Sequence, residues 1–262
     1  YGSDELARLT ESFNEMLKSL QESRERQSQL VADAGHELKT PLTSLRTNIE
    51  LLMMASKNPS DTITPDDIAD LEHDVMSQLE ELTNLVTDLV DLAREDSQHS
   101  VVEPIDLGEI LDGVIDRVRR RRLDIKFTFN LIDWYLMGDQ RGLSRAFLNV
   151  LDNAAKWSPE NGTVTMTMQQ IDDDRVEITV DDEGPGIPAD ERELVFERFY
   201  RSVESRAMPG SGLGLAIVKQ VMESHGGSVR AEESPRGGTR MVLELPGGPQ
   251  ITSNNNEAMR IS

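Results

Sequence analysis

Between Asp4 and Leu20 the apolar residues Leu6, Leu9, Phe13, Met16, Leu17 and Leu20 recur at helical spacing, the mark of an amphipathic helix. The pattern resumes at Val31, Ala34, Leu38, Leu42, Leu45, Ile49 and Leu52, whose steps of 3, 4, 4, 3, 4 and 3 describe a narrow, coiled-coil-like seam. Asn58-Pro59-Ser60-Asp61 and Pro65 break it. A second seam at Ile68, Leu71, Val75, Leu79, Leu82, Val86 and Leu89 predicts the return arm of an antiparallel hairpin. One hairpin leaves its stripe in water, whereas two close a four-helix bundle, so the seams predict a homodimer. The polar stretch from Arg94 to Ser100 reads as a linker.

Mixed elements follow. The pattern predicts a helix from Leu107 to about Arg119 capped by Asp106, a strand near Ile125 to Leu131, and a helix from Gln140 to Trp157. Alternation at Val164, Met166 and Met168, then at Val176, Ile178 and Val180, predicts paired strands. A helix from Leu213 to His225 stops at Gly226-Gly227, and strands near Ser228 to Glu232 and Arg240 to Leu245 close an α/β sandwich. From Gly247 onward the run is too polar to bury and reads as a disordered tail.

Composition narrows the chemistry. The 262 residues suit about two domains, and an apolar share of 37% with 4% aromatics suits a chain partly devoted to a long helical assembly. With 27 basic and 48 acidic residues the net charge is −21, which repels phosphate backbones and disfavours nucleic acid as a partner. Arg119 to Arg122 is too short a basic cluster to reverse that. No cysteine is present, which excludes disulfide scaffolds, thiolate metal sites and cysteine nucleophiles. No apolar run approaches the roughly 20 residues that a membrane helix needs.

His36 stands two residues from both Ala34 and Leu38, about 200° around a helix, so its imidazole points away from the seam into solvent. Thr40 shares its face, Glu37 is an adjacent carboxylate, and Pro41 leaves the Glu37 carbonyl without its helical donor. Taken alone, this is also what any solvated helix face with one histidine shows. His36-Glu37-Leu38-Lys39-Thr40 lacks the second histidine of a metalloprotease motif. Further along, Asn149, Asn153 and Lys156 share one polar helix face opposite Leu143, Phe147, Val150 and Ala154. Two amides and an ammonium suit a magnesium-phosphate group, although an ordinary surface helix has the same pattern. Asp182-Glu183-Gly184-Pro185-Gly186-Ile187 follows a predicted strand, placing a carboxylate able to accept an exocyclic amine beside glycines that admit a ligand to the backbone. A plain turn accounts for Gly-Pro-Gly equally. Gly210-Ser211-Gly212-Leu213-Gly214-Leu215 precedes a helix whose first amides favour an anion. It is not a dinucleotide fingerprint, and no P-loop occurs.

In order, these segments resemble the transmitter region of a sensor histidine kinase. His36 to Leu42 resembles the H box, Asn149 to Lys156 the N box, Asp182 to Ile187 the G1 box, Phe196-Glu197-Arg198-Phe199-Tyr200-Arg201 the F box and Gly210 to Leu215 the G2 box. The opening helix, with Asp4-Glu5-Leu6 and Ser12-Phe13-Asn14, is similar to the second helix of a HAMP signal relay, and the text around Ala32 to His36 to an actinobacterial subgroup of these kinases. The resemblance implies an α+β, multidomain chain. A dimeric helical hairpin, a four-helix bundle across two chains, is followed by a GHKL-type (Bergerat) α/β sandwich. The implied division is a HAMP remnant over residues 1–28, the hairpin over 29–98, a linker over 99–105, the ATP-binding domain over 106–246 and the tail over 247–262.

The resemblance further implies ATP and Mg²⁺. The γ-phosphoryl group passes to His36 and then to an aspartate of a cognate response regulator. Glu37 is the implied general base, and Thr40 positions water for a phosphatase reaction. Asn153 is the implied Mg²⁺ ligand, with Asn149 nearby. Asp182 would hold the adenine amine, while Lys156 and Arg201 would meet phosphates. Gly184, Gly186, Tyr200, Gly212, Leu213, Gly214 and Thr239 complete the implied nucleotide set, Gly212 and Gly214 lining a lid between Ile187 and Gly210. The family also implies a cytoplasmic portion of a membrane protein anchored through segments outside this chain. Two positions depart from the commonest pattern: Gly35 stands where serine is usual, and Trp157 where tyrosine or phenylalanine is. His73, His99 and His225 match no family position and read as structural or exposed.

Overall fold

The computed structural model describes residues 2–57, 64–95, 102–202, 208 and 210–249. The expected turn at Asn58 to Asp61, residues 96–101 of the expected linker, His99 included, and the tail beyond residue 249 lie outside them, whereas residues 103–105, also read as linker, belong to the first strand of the α/β unit. The chain divides into two compact units, a helical one built on residues 1–99 and an α/β one on residues 100–208 and 212–262.

In the helical unit, α1 (Gly2–Lys57) is one continuous helix that joins the two apolar stretches and carries Pro41 inside it. The return arm α2 (Pro65–Glu95) starts with a reciprocal cap. The Thr64 amide donates to Asp67 Oδ2 at 2.8 Å, and the Asp67 amide donates to Thr64 Oγ1 at 3.2 Å. These Thr64 bonds hold the Asp67 carboxyl below the usual range.

The predicted seams split in two. Leu45 of α1 is buried between the arms together with Ala55, Leu85 and Leu92, which the predicted seams did not include, and Leu38, Leu52, Leu71, Val75, Leu82 and Leu89 are half-buried beside them. Leu42 and Ile49, and on α2 Leu79 and Val86, were expected in the same seam but point outward and remain exposed. A bundle helix has two neighbours, so its apolar sector is wider than one coiled-coil stripe, and sequence spacing alone merges the two.

The α/β unit runs β1 (Glu103–Asp106), α3 (Leu107–Arg121), β2 (Lys126–Asn130), β3 (Tyr135–Gly138), α4 (Gln140–Trp157), β4 (Thr163–Asp172), β5 (Arg175–Asp181), a 3₁₀ turn (Leu194–Phe196), α5 (Gly214–Ser224), β6 (Ser228–Glu233) and β7 (Thr239–Pro246). Five strands form a mixed sheet in the order β2-β4-β5-β7-β6, parallel only between β2 and β4. Alternate residues Val164, Met166, Met168, Val176, Ile178, Val180, Met241, Leu243 and Leu245 are buried on its inner face. The helices supply the other half of the core, led by Val114 and Val118 of α3, Leu143, Phe147 and Val150 of α4, and Ile217 and Val221 of α5. Asp106 caps α3 as expected, accepting from the Gly108 amide at 2.9 Å.

The outer sheet face is polar and ion-paired. Arg230 reaches Glu232, Glu244 and Glu177, and Arg240 grips Asp181 with two hydrogen bonds of 2.7 and 2.8 Å. Three elements escape the sequence pattern: β1, β3 and the 3₁₀ turn. β1 and β3 are four-residue strands paired with each other, too short to show a period. Gly247 and Gly248, which read as the start of the tail, pair with Asp174 and Tyr135 and close this small sheet over the buried Trp134.

Phe147 has no solvent exposure, so Phe147→Ala is expected to destabilise the α/β unit by about 3–5 kcal/mol, seen as a lowered urea midpoint by circular dichroism.

Candidate functional site

The N-terminal cap of α4 is Asp139, whose Oδ1 accepts from the Arg141 amide at 2.9 Å. With Leu143, Phe147, Val150 and Ala154 buried on one side, the helix leaves Asn149, Asn153 and Lys156 half-buried on the other. Asn149 Nδ2 donates to the Gly214 carbonyl at 3.3 Å, which ties this face to the start of α5. Lys156 Nζ lies 5.4 Å from the centre of the Trp157 ring, within cation–π range.

Asp182, just past the end of β5, is the most unusual side chain of the unit, a carboxylate with only 3% exposure. Its Oδ1 accepts from the amides of Gly184 and Thr239, each at 2.8 Å. Burial pushes the Asp182 carboxyl up, against the amide hydrogen bonds that favour its charged form. The cradle admits no side chains: a Cβ on Gly238 would lie 2.2 Å from the Asp182 carbonyl oxygen, and one on Gly184 would lie 2.8 Å from that of Trp157. The end of α4, the G1 loop and the β6–β7 turn therefore meet at one place, with Thr239 buried beside Asp182. Gly186, at φ +80, takes a conformation open chiefly to glycine. Glu183 braces the loop from outside. It accepts from the Thr163 amide at 3.0 Å and from Arg236 at 2.9 Å, and these bonds hold its carboxyl below the usual range.

The F and G2 segments also interlock. Phe199 sits at φ 62 and donates its amide to the Gly212 carbonyl at 3.0 Å, while Gly212, at φ +70, leaves no room for a Cβ against Phe199. Phe196 and Leu213 are buried, and Tyr200 and Arg201 are half-buried. Arg201 donates to the Met208 carbonyl inside the lid segment, and Arg192 donates to the Ile187 carbonyl at 3.2 Å at its start. Residues 203–207 and 209 of that segment lie outside the described ones. In the helical unit His36, Glu37 and Thr40 are all exposed on α1. A Cβ at Gly35 would meet nothing within 4 Å, so packing does not require glycine there.

Sequence reasoning missed Gly238, the Trp157 carbonyl, Glu183 and Arg192. Gly237-Gly238 between two predicted strands signals a turn, but the need for glycine at 238 comes from a carboxylate that the fold brings alongside. For a metal, no group of three or more His, Cys, Asp or Glu capable of holding one occurs among the described residues. The Asn149 and Asn153 amides fit the alternative habit of Mg²⁺, which takes one or two protein oxygens and completes its shell with phosphate and water.

Comparison with known proteins now fixes the class. Residues 26–98 match the His Kinase A (phospho-acceptor) domain, and residues 138–249 match the histidine kinase-, DNA gyrase B- and HSP90-like ATPase domain. The chain belongs to the sensor histidine kinases. It is 59% identical over 258 residues to MprB of Mycobacterium leprae, described as a signal transduction histidine-protein kinase/phosphatase. That match takes in 97% of this chain and 50% of the relative, so the chain spans about half the length of the curated relatives it matches. Among solved structures, a mycobacterial sensor histidine kinase MprB matches with a TM-score of 0.54 at 52% identity, over 57% of this chain and 100% of that one. Full-length ShkA in complex with AMPPNP matches at 0.57 and 26% identity, over 85% of this chain and 47% of that one.

Asp182→Asn keeps the acceptor for both amides and removes the buried charge. Because the carboxyl is raised by burial, the charged form weakens the fold, and that penalty grows as pH rises through its range. The variant is expected to melt no lower than the parent at pH 7–8, and to gain on it as pH rises from about 4. If Asp182 accepts from the exocyclic amine of a bound nucleotide, as the resemblance implies, the affinity for ATP falls by at least about tenfold, because an amide donor then faces that amine. Thermal melts across pH and calorimetric titration with ATP check both.

Proposed function

We propose that this chain is the catalytic transmitter portion of a dimeric sensor histidine kinase, binding ATP in the α/β unit and carrying the phosphoryl group on His36. The observation that carries the reading is Asp182. A carboxylate stripped of water and crowded by glycines costs stability, and an exocyclic amine donor is the kind of ligand that repays it. The half-buried amides of Asn149 and Asn153 and the Lys156 ammonium suit the charged end of the same nucleotide. Mg²⁺, held by Asn153 with Asn149 nearby, supplies charge neutralisation on the phosphates when bound.

In the reaction a nitrogen of His36 attacks the γ-phosphorus, the bond to the bridging oxygen breaks to leave ADP, and the ring proton passes to Glu37. Transfer to an aspartate of a response regulator follows, and Thr40 positions water for the reverse, phosphatase-type step. Exposure of all three side chains supports access by such partners. Tyr200, Arg201, Gly212, Leu213, Gly214 and Thr239 complete the nucleotide-binding set. The outward stripe of Leu42, Ile49 and Met53 on α1 and Met76, Leu79, Val86 and Val90 on α2 is exposed in the single chain. That stripe supports homodimerisation as a four-helix bundle. No described helix is long and apolar enough to cross a membrane. We assign residues 1–28 to the end of a HAMP relay and place the chain at the cytoplasmic side of a membrane-anchored sensor, where ATP is supplied.

With γ-labelled ATP and Mg²⁺, the chain is expected to acquire acid-labile, base-stable label that His36→Gln abolishes. Glu37→Ala should slow labelling by about 10²–10⁴-fold at little change in KM for ATP. Label persisting in His36→Gln, or ATP hydrolysis indifferent to that change, overturns the assignment.

A further inference from the structure

α4 and α5 run antiparallel and are tied at two points. At one end Asn149 Nδ2 meets the Gly214 carbonyl. At the other, the ring of His225, the residue that ends α5, uses both of its nitrogens: the Asp139 amide donates to Nε2 at 2.9 Å, and Nδ1 lies 2.7 Å from the Val221 carbonyl. A carbonyl only accepts and an amide only donates, so these two partners select the neutral tautomer with its proton on Nδ1. Ser224 Oγ, 3.2 Å from Nδ1, adds a second contact on the α5 side. The space for the ring is made by Gly138, where a Cβ would fall 2.4 Å from His225 Cδ2.

Asp139 is the residue that caps α4. His225 thus holds the very start of the helix that presents Asn149, Asn153 and Lys156. Ten residues separate Asp139 from Asn149 and eleven separate Gly214 from His225, so both spans are about 15 Å of helix. Two ties nearly three turns apart fix the sliding of one helix along the other. Apolar packing between them, being non-directional, does not fix it alone. The tie at Asn149 is the longer and weaker of the two.

We propose that His225 is a positioning residue for the nucleotide site: as a neutral imidazole it pins the cap of α4 to the end of α5 and so keeps Asn149, Asn153 and Lys156 in register with Gly214. The proposal rests on the ATP-binding reading given above. It separates two substitutions of similar size. The side-chain oxygen of His225→Gln reaches the position of Nε2 and still accepts from Asp139. His225→Asn is shorter, retains only the Val221 side and releases the cap. Gly138→Ala keeps the imidazole but displaces it from the Asp139 amide.

The test is calorimetric titration of the whole chain with Mg²⁺-ATP, paired with autophosphorylation kinetics and with ¹⁵N spectra of the histidine rings. The parent chain should show the Nδ1–H tautomer at His225. His225→Asn and Gly138→Ala should raise Kd and KM for ATP about five- to tenfold, the worth of one backbone hydrogen bond, with kcat within about twofold. His225→Gln should stay within about twofold of the parent in all three. Equal losses in the Asn and Gln variants, losses in kcat alone, or parental affinity in His225→Asn would each overturn the role. Failure of the unaltered chain to bind ATP would instead overturn the nucleotide-site reading, and the role of His225 with it.

Discussion

The α/β unit is organised around a carboxylate that water does not reach. Asp182 is buried, its Oδ1 accepting from the backbone amides of Gly184 and Thr239, and nearly every oddity nearby follows from keeping that arrangement intact. Gly238 has no side chain because the Asp182 backbone occupies the place where one would go, and Gly184 has none because the end of α4 does. Glu183, next in sequence, faces outward and is spent on Thr163 and Arg236, so two consecutive acids take opposite roles, one raised by burial and one lowered by its donors.

The helical unit solves a different problem with fewer residue types. Its arms have one apolar stripe between them and a second one facing out. The first stripe, with Leu45, Ala55, Leu85 and Leu92 buried, gives the single chain a hairpin. The second leaves apolar surface of that hairpin exposed in the single chain. His36 lies on neither stripe, so the histidine proposed to carry the phosphoryl group and the surface proposed for association occupy different sectors of the same helix without competing.

Much of this was legible in the residues. Long periodic segments announced themselves: α4 has the bounds Gln140–Trp157 that its pattern predicts, and the cap at Asp106 is where the acid stands before an apolar run. The polar face of α4, the exposure of His36 and the ordering of the glycine segments were equally readable. What was not readable is whatever depends on a distant neighbour. β1 and β3 exist because they pair with each other across thirty residues, and Gly247-Gly248 joins them through Asp174 and Tyr135. The outward half of each seam could not be told from the inward half, because a spacing of three and four residues records that a position is apolar and not which helix it meets. His225 is the sharpest case. In the sequence it is a histidine before two glycines, and the amide that bonds its Nε2 lies 86 residues away.

The placement of the two tryptophans has a practical corollary. Trp134 is sealed from solvent, with its indole N–H directed at the Pro246 carbonyl, whereas Trp157 is half-exposed, ends α4, carries the Lys156 ammonium over its ring and lends its carbonyl to the contact with Gly184. One indole is shielded inside the unit and the other stands beside the loop that carries Asp182. The protein thus carries its own optical gauge: quenching of the red-shifted part of its ultraviolet emission reports events around Trp157 without any attached dye.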